Sequence, residues 1–261
     1  MPKLNAVTPE SHQSNFWNRN NSYSFVGKNN LVPLVAAEMA NVIQDMPMAF
    51  IKKEETFTLM GVLSLIPGQN MFIDSQGKWL ATYVPSRLRG YPFSLARAEG
   101  RDDLILCVDE DSGLLSDTTG EPFFDEAAQI STALKDILNF LSQIEQNKII
   151  TDLAVSALAD AGLITEWNLK INTGEEEKPI TGLYKIDETK LNTIDDEVFL
   201  KLRKAQSLPI AYAQLLSMLN INVFEKLAML REPVSKPVNK PGIPDLSNLL
   251  TNDDGVRWYD N

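Results

Sequence analysis

The stretch Phe123–Leu163, FFDEAAQISTALKDILNFLSQIEQNKIITDLAVSALADAGL, decides the fold class. Up to about Asp125 the apolar residues alternate, or come in short runs broken by turns. Beyond it they recur every three or four positions. Ile130, Leu134, Ile137, Leu138, Leu141 and Ile144 fall on one helical stripe. Ile150, Leu153, Ala154, Ala157, Leu158 and Ala161 continue as a second helix, and Gly162 is placed to cap it. A strand period followed by a helical one predicts an α+β fold, in which an N-terminal, mainly antiparallel β region packs with a C-terminal helical half.

Downstream, Trp167, Leu169 and Ile171 alternate, as do Ile180, Gly182, Tyr184 and Ile186. The eight residues Asn172–Pro179 between them are too few for a parallel crossover, so the two runs form an antiparallel hairpin with an acidic tip. Asp187 and Asp195 suit the N-caps of two further helices, and Pro209 the first turn of a last helix reaching about Leu230. Upstream, Met48–Ile51 and Phe57–Leu65 flank a charged turn, Lys52–Thr56. Phe93–Ala98 and Leu104–Val108 make a second pair, and Ala36–Asp45 reads as a short helix. This predicts a body over 23–232, β-rich to residue 125 and helical with a hairpin after it. No Pro/Gly-rich linker separates the halves, so they are expected to share a core.

The ends differ from the body. Residues 1–22 are rich in Asn and Ser and read as a flexible arm that Phe16 and Trp17 can anchor. Residues 233–261 read as a Pro-rich linker and tail, with Pro233, Pro237, Pro241 and Pro244 inside twelve residues. The tail carries Ile243, Leu246, Leu249 and Leu250 at helical spacing, then Trp258 and Tyr259. Three readings stand for this tail: a mobile end with no role, docking on its own body or on a second copy of the chain, or binding of a partner through Leu246, Leu249, Leu250, Trp258 and Tyr259.

Charge narrows the function. The 261 residues carry 24 Lys and Arg against 35 Asp and Glu, a net charge of −11. Such a chain lacks the basic face that tracks nucleic-acid phosphates, so no nucleic-acid partner is expected. A polybasic membrane-surface role is opposed for the same reason. The single cysteine, Cys107, excludes an intramolecular disulfide framework, and the single histidine, His12, excludes a two-histidine site. No signal peptide stands at the start, and no window approaches the roughly 20 apolar residues of a spanning helix. A cytoplasmic protein that does not span a membrane is expected; export by an unconventional route leaves no mark in a sequence.

Several stretches occur together in an order that resembles the bacterial SapC-like family, from about Tyr23 to Leu230. They include Leu31–Leu34, Met46–Phe50, Gly68–Asp74, Trp79–Pro85, Arg89–Phe93, Asp109–Ser112, Gly120–Asp125 and Gly182–Glu188. The family takes its name from a protein tied to a bacterial surface layer. The resemblance implies a protein without assigned enzymatic activity, found near outer-membrane receptors and flavin-dependent tryptophan-halogenase-like proteins. It does not imply the peptide-transporter permease that shares the name, which needs spanning helices.

Two segments carry candidate chemistry. Arg87, Arg89, Tyr91 and Phe93 mix planar cationic forks with aromatic rings in an irregular stretch, a combination that holds a carboxylate or a peptide. Against this stands a plain turn whose rings pack on the core. Cys107–Asp125 is dense in acids, and Asp109, Asp111 and Glu121 are its candidate ligands for Mg²⁺ or Ca²⁺. The calcium-loop pattern is not met, because Gly113 follows Ser112 and the third ligand is missing; a solvated acidic loop explains the same residues. Cys107 lies in an apolar run and reads as a core residue, and His12 as a surface residue of the arm. There is no P-loop and no dinucleotide fingerprint, and no cofactor is expected. The first functional reading is a non-catalytic binding or accessory protein with a protein partner. The alternative is a carboxylate-based enzyme, with or without a divalent metal, built on the Asp109–Asp125 loop.

Overall fold

A computed structural model of the chain describes residues 3–97, 103–172 and 177–231. In chain order the elements are β1 (Leu4–Ala6), α1 (Pro9–His12), β2 (Phe16–Trp17), β3 (Leu31–Pro33), α2 (Met39–Val42), β4 (Met48–Lys53) and β5 (Thr56–Val62). Then come α3 (Ser86–Arg89), β6 (Phe93–Arg97), β7 (Leu104–Asp109), β8 (Leu115–Ser116), β9 (Glu121–Pro122) and α4 (Thr132–Asp160). The remainder is β10 (Ile164–Glu166), β11 (Leu169–Asn172), β12 (Glu177–Ile180), β13 (Tyr184–Ile186), α5 (Glu188–Leu191), α6 (Asp196–Lys204), α7 (Ser207–Ser217) and α8 (Val223–Arg231).

The fold is α+β, with antiparallel sheets and a helical C-terminal half. The main sheet has the order β10-β13-β4-β5-β3, and a second sheet the order β1-β7-β6. The small sheet β8-β2-β9 and the ribbon β11-β12 complete the set. The predicted hairpin is present: Leu169 pairs with Ile180 and Asn172 with Glu177, and β10 and β13 extend the same antiparallel pairing from Ile164 to Ile186. Strand β13 also pairs with β4 through Tyr184 and Phe50, so a strand from the helical half lies in the sheet of the N-terminal half.

Helix α4 corrects the expectation of two helices. The polar run Glu145–Lys148 reads as a break, yet neither Gly nor Pro interrupts the chain between Ser131 and Gly162. Within the run, Thr151 donates to the Asn147 carbonyl at 2.7 Å and Lys148 pairs with Asp152 one turn on. The helix starts where Ser131 Oγ accepts from the Leu134 N–H. It ends in a Schellman turn: Gly162, at φ +67°, donates to Ala159, and Leu163 donates to Leu158. Two hydrophobic clusters share this helix. Leu134, Leu141 and Ile144 pack with Trp17, Phe93 and Phe123, while Ala154, Val155 and Leu158 pack with Met48, Phe50 and Ile210.

Within the segment expected as a flexible arm, 1–22, Leu4–Ala6 and Phe16–Trp17 are built into the sheets. Strand β1 pairs with β7, Leu4 opposite Asp109, and β2 sits between β8 and β9. Trp17 is buried, and so is His12, which was expected at the surface; Phe123 covers its ring at 5.1 Å. Partners about a hundred residues away supply the pairing that the arm's own composition lacks. Residues 233–261, and the expectations for Leu246, Leu249, Leu250, Trp258 and Tyr259, lie outside the described residues.

The last helix is also corrected. In place of one helix over 209–230, α7 and α8 are joined by a 3₁₀ stretch, Met218–Asn222. By length and composition Ser207–Leu230 is apolar enough to cross a membrane, contrary to expectation, and 44% of its apolar 18-residue window is buried. Its buried polar groups serve the sheet. Gln214 Nε2 donates to the Met48 carbonyl at 3.0 Å, and its Oε1 accepts from the Ile186 N–H at 2.9 Å. Ser217 Oγ accepts from the Met48 N–H at 2.9 Å. Replacing Gln214 with Leu keeps the volume and strands a buried carbonyl and a buried N–H. We expect a loss of about 2–4 kcal/mol in denaturant unfolding. Gln214→Glu should also destabilise, because a carboxylate cannot donate to Met48.

Candidate functional site

Helix α3 and the loop Gly90–Pro92 bring Arg87, Arg89, Tyr91 and Phe93 to the start of β6, and their side chains then part. Phe93 is core, edge-on to Trp17 at 4.9 Å. Arg87 pairs with Glu145 on α4 at 2.5 Å. Gly90 lies close against α4: a Cβ there would meet Leu141 Cδ2 at 2.6 Å, so that side chain would have to shift. Only Arg89 and Tyr91 reach a common recess of about 200 Å³, lined also by Trp17, Arg19, Tyr23 and Ile137.

Arg89 is held by its surroundings. Its guanidinium lies 5.3 Å from the Tyr83 ring centroid and 5.0 Å from that of Phe140, and its Nη2 donates to the Tyr83 hydroxyl at 3.1 Å. Tyr83 in turn donates to Glu38 Oε2 at 3.0 Å. The buried Glu38 also accepts from the Ser86 N–H at 2.6 Å and, through Oε1, from the Val35 N–H at 3.0 Å. This is half of a capping box: Val35 stands at the N-cap and has no side-chain acceptor to return the bond. Glu38 thus fixes the start of α3 and the phenol on which Arg89 rests. Arg19, across the recess, spends its fork on Glu121, with Nε to Oε1 at 2.6 Å and Nη2 to Oε2 at 3.3 Å. Among the described residues Arg89 makes no ion pair with a carboxylate.

Tyr91 stacks on Phe25 at 3.8 Å and donates to Asp109 Oδ2 at 3.2 Å. Asp109 is buried, and its Oδ1 accepts from the Lys3 N–H at 3.0 Å and the Asp111 N–H at 3.2 Å. It clamps the arm, a turn and a recess phenol together. The proposed metal ligands are therefore not assembled: Asp109 is engaged by three donors, Asp111 is exposed, and Glu121 pairs with Arg19. Among the described residues no three His, Cys, Asp or Glu converge. Cys107 is buried as expected, and burial pushes its thiol up.

Sequence reading missed the arm's share of the recess, Trp17 and Arg19, together with Tyr23 at the start of the body and the supports Phe25, Glu38 and Tyr83. The signal for the arm was present in the aromatics and Arg19 of Asn15–Arg19, set in a polar run. Glu38 left the weaker trace of an acid three residues after an apolar N-cap.

Burial, and then the neighbouring carboxylates, hold both phenols neutral. Tyr83 is pushed up to about 12, beside Glu38, and Tyr91 to about 12, beside Asp109, from the ordinary 10. A phenol raised on folding contributes stability that is complete below pH 10 and lost as pH climbs through about 12. Chemical denaturation midpoints should fall between pH 10 and 12. The Tyr83→Phe/Tyr91→Phe protein, less stable at neutral pH, should show a shallower fall; parallel curves would contradict the shifts.

Comparison with curated proteins and with solved structures gives no match. The SapC family profile matches residues 7–224, taking in β2, the Arg89–Tyr91 loop, all of α4 and the hairpin. With most of its length so matched, the chain belongs to the SapC family.

Proposed function

We propose that this SapC-family chain is a non-catalytic binding protein, an accessory protein whose recess receives a carboxylate-bearing group of a protein partner. The observation that carries the reading is Arg89: a guanidinium positioned by two rings and a phenol, on the wall of a recess, with no carboxylate of its own among the described residues. Arg–carboxylate pairs gain from planar, two-point geometry, and a cation already held in place loses little freedom on forming one. Arg19, already paired with Glu121, marks the rim.

The size of the recess supports a partner's group over a free cofactor. About 200 Å³ lies below the roughly 300–1,000 Å³ typical of small-molecule pockets and suits a chain end or one side chain. Two aromatic side chains in its lining, Tyr23 and Tyr91, suit an aromatic or aliphatic neighbour of that carboxylate. The carboxylate-enzyme reading draws less support, since Asp109, Asp111 and Glu121 stand apart and each has another engagement or faces solvent.

Calorimetric titration with a short peptide ending in phenylalanine tests the proposal. The free acid should bind about tenfold or more tightly than its C-terminal amide. Arg89→Gln should erase that preference while lowering the melting temperature only slightly, by the loss of its ring contacts and its bond to Tyr83. Equal affinity for acid and amide, or binding unaffected by Arg89→Gln, would count against it.

A further inference from the structure

The indole N–H of Trp17 has no acceptor among the described residues. The residue is 2% exposed, and its backbone is taken up on both sides of β2, opposite Leu115 of β8 and Glu121 of β9. Its ring stands between core and recess. Phe93 meets it edge-on at 4.9 Å, while the guanidinium carbon of Arg19, on the recess wall, lies 5.9 Å from its centroid. The core side offers hydrocarbon: Phe93, Phe123, Leu134 and Leu141 belong to the same cluster. Buried side-chain atoms of His12, Ser86, Ser94 and Ser207 also lack a hydrogen-bond partner among the described residues, but none of these residues lines the recess. A hydroxyl turns and can both give and accept; an indole donates only, in a direction its ring fixes. Trp79 shows the ordinary outcome, donating to the Tyr83 carbonyl at 2.8 Å.

We infer that Trp17 is the second donor of the recess, giving its N–H to the peptide carbonyl that precedes the carboxylate held by Arg89, so that the occupant is the C-terminal end of a peptide chain. This rests on the carboxylate reading above and adds the class of group that brings the carboxylate. A chain end carries both acceptors one peptide unit apart, and a recess of about 200 Å³ has room for little more. An Asp or Glu inside a chain would need the chain to run on in both directions, which that volume opposes. Capture of a terminal carboxylate is a recurrent mode of peptide recognition, commonly through backbone N–H groups; here a guanidinium and an indole take their part. A buried donor without an acceptor is costly, so an occupant that pairs it gains, and one that sets a methylene there is rejected.

Exchange of Trp17 alone for benzothienylalanine, which keeps the ring's shape and puts sulfur in place of the N–H, tests the assignment by calorimetry. A short peptide ending in phenylalanine with a free carboxylate should bind the exchanged protein about tenfold more weakly than the natural one. Hydrocinnamate, with the ring and carboxylate but no peptide carbonyl, should bind both proteins equally. The preference for acid over amide should survive the exchange, because Arg89 provides it. Without ligand the melting temperature should not fall, since the N–H has no partner in the body to lose. In the natural protein the Trp17 indole N–H resonance should move downfield on addition of the peptide. Unchanged peptide affinity after the exchange, with the acid preference intact, would overturn the inference and leave the carboxylate reading standing. So would an unmoved indole resonance, an equal loss for hydrocinnamate, or a lower melting temperature of the ligand-free exchanged protein. Equal binding of acid and amide by the natural protein would instead strike the carboxylate reading, and this inference with it.

Discussion

The side-chain amide of Gln214 stands where two strands part. Tyr184 of β13 pairs with Phe50 of β4, and continuing that antiparallel register sets Ile186 opposite Met48. The ladder does not reach that pair. The Gln214 amide takes its place, accepting from the Ile186 N–H and donating to the Met48 carbonyl, while Ser217 receives the Met48 N–H. An amide can stand in for a peptide group because it carries the same donor and acceptor. In a dry setting each of these groups costs dearly if left unpaired, so the bridge fixes α7 on the sheet and the sheet's late-arriving strand on β4. The order β10-β13-β4-β5-β3 depends on that junction.

Helix α4 imposes the second constraint. Its first half belongs to the cluster around Trp17 and Phe93, and its second half to the larger cluster around Phe50. At 29 residues it extends about 43 Å. Between the halves, Thr151 Oγ1 accepts from the Ala36 N–H and so ties the helix to the turn that carries Glu38. A helix spanning two clusters makes them poor candidates for separate unfolding, because melting either half leaves the other with an uncapped end in mid-helix.

The parts legible in the sequence are those whose cause is local. The turn Lys52–Thr56, the hairpin from Trp167 to Ile186, the Asp187 cap and the Gly162 terminus each follow from residues within a few positions. What escaped reading has distant causes. An Asn- and Ser-rich arm pairs because β7, β8 and β9 offer it edges; Asp195 occupies its N-cap position without making the side-chain bond. Gln214 reads as one polar residue in an apolar helix until Met48 and Ile186 are placed beside it. Of the candidate site, Arg89 and Tyr91 were visible as types, while the recess was not. Phe93 and Arg87 were drawn away by core packing and by Glu145.

The recess takes Trp17 and Arg19 from the arm, and Tyr23, Arg89 and Tyr91 from the body. Among the described residues the start of the arm is held by the three pairs of β1 with β7, the Lys3 N–H on Asp109, the Glu110 N–H on the Lys3 carbonyl, the Val7 N–H on the Leu106 carbonyl and the Lys3–Glu110 ion pair. Occupancy of the recess and attachment of the arm are therefore linked quantities. A group that binds across the two sides adds its free energy to the arm's attachment, and by reciprocity a change that loosens the arm weakens the group's binding by the same factor. If the recess receives such a group, the length of β1 would set its affinity through substitutions that never touch it.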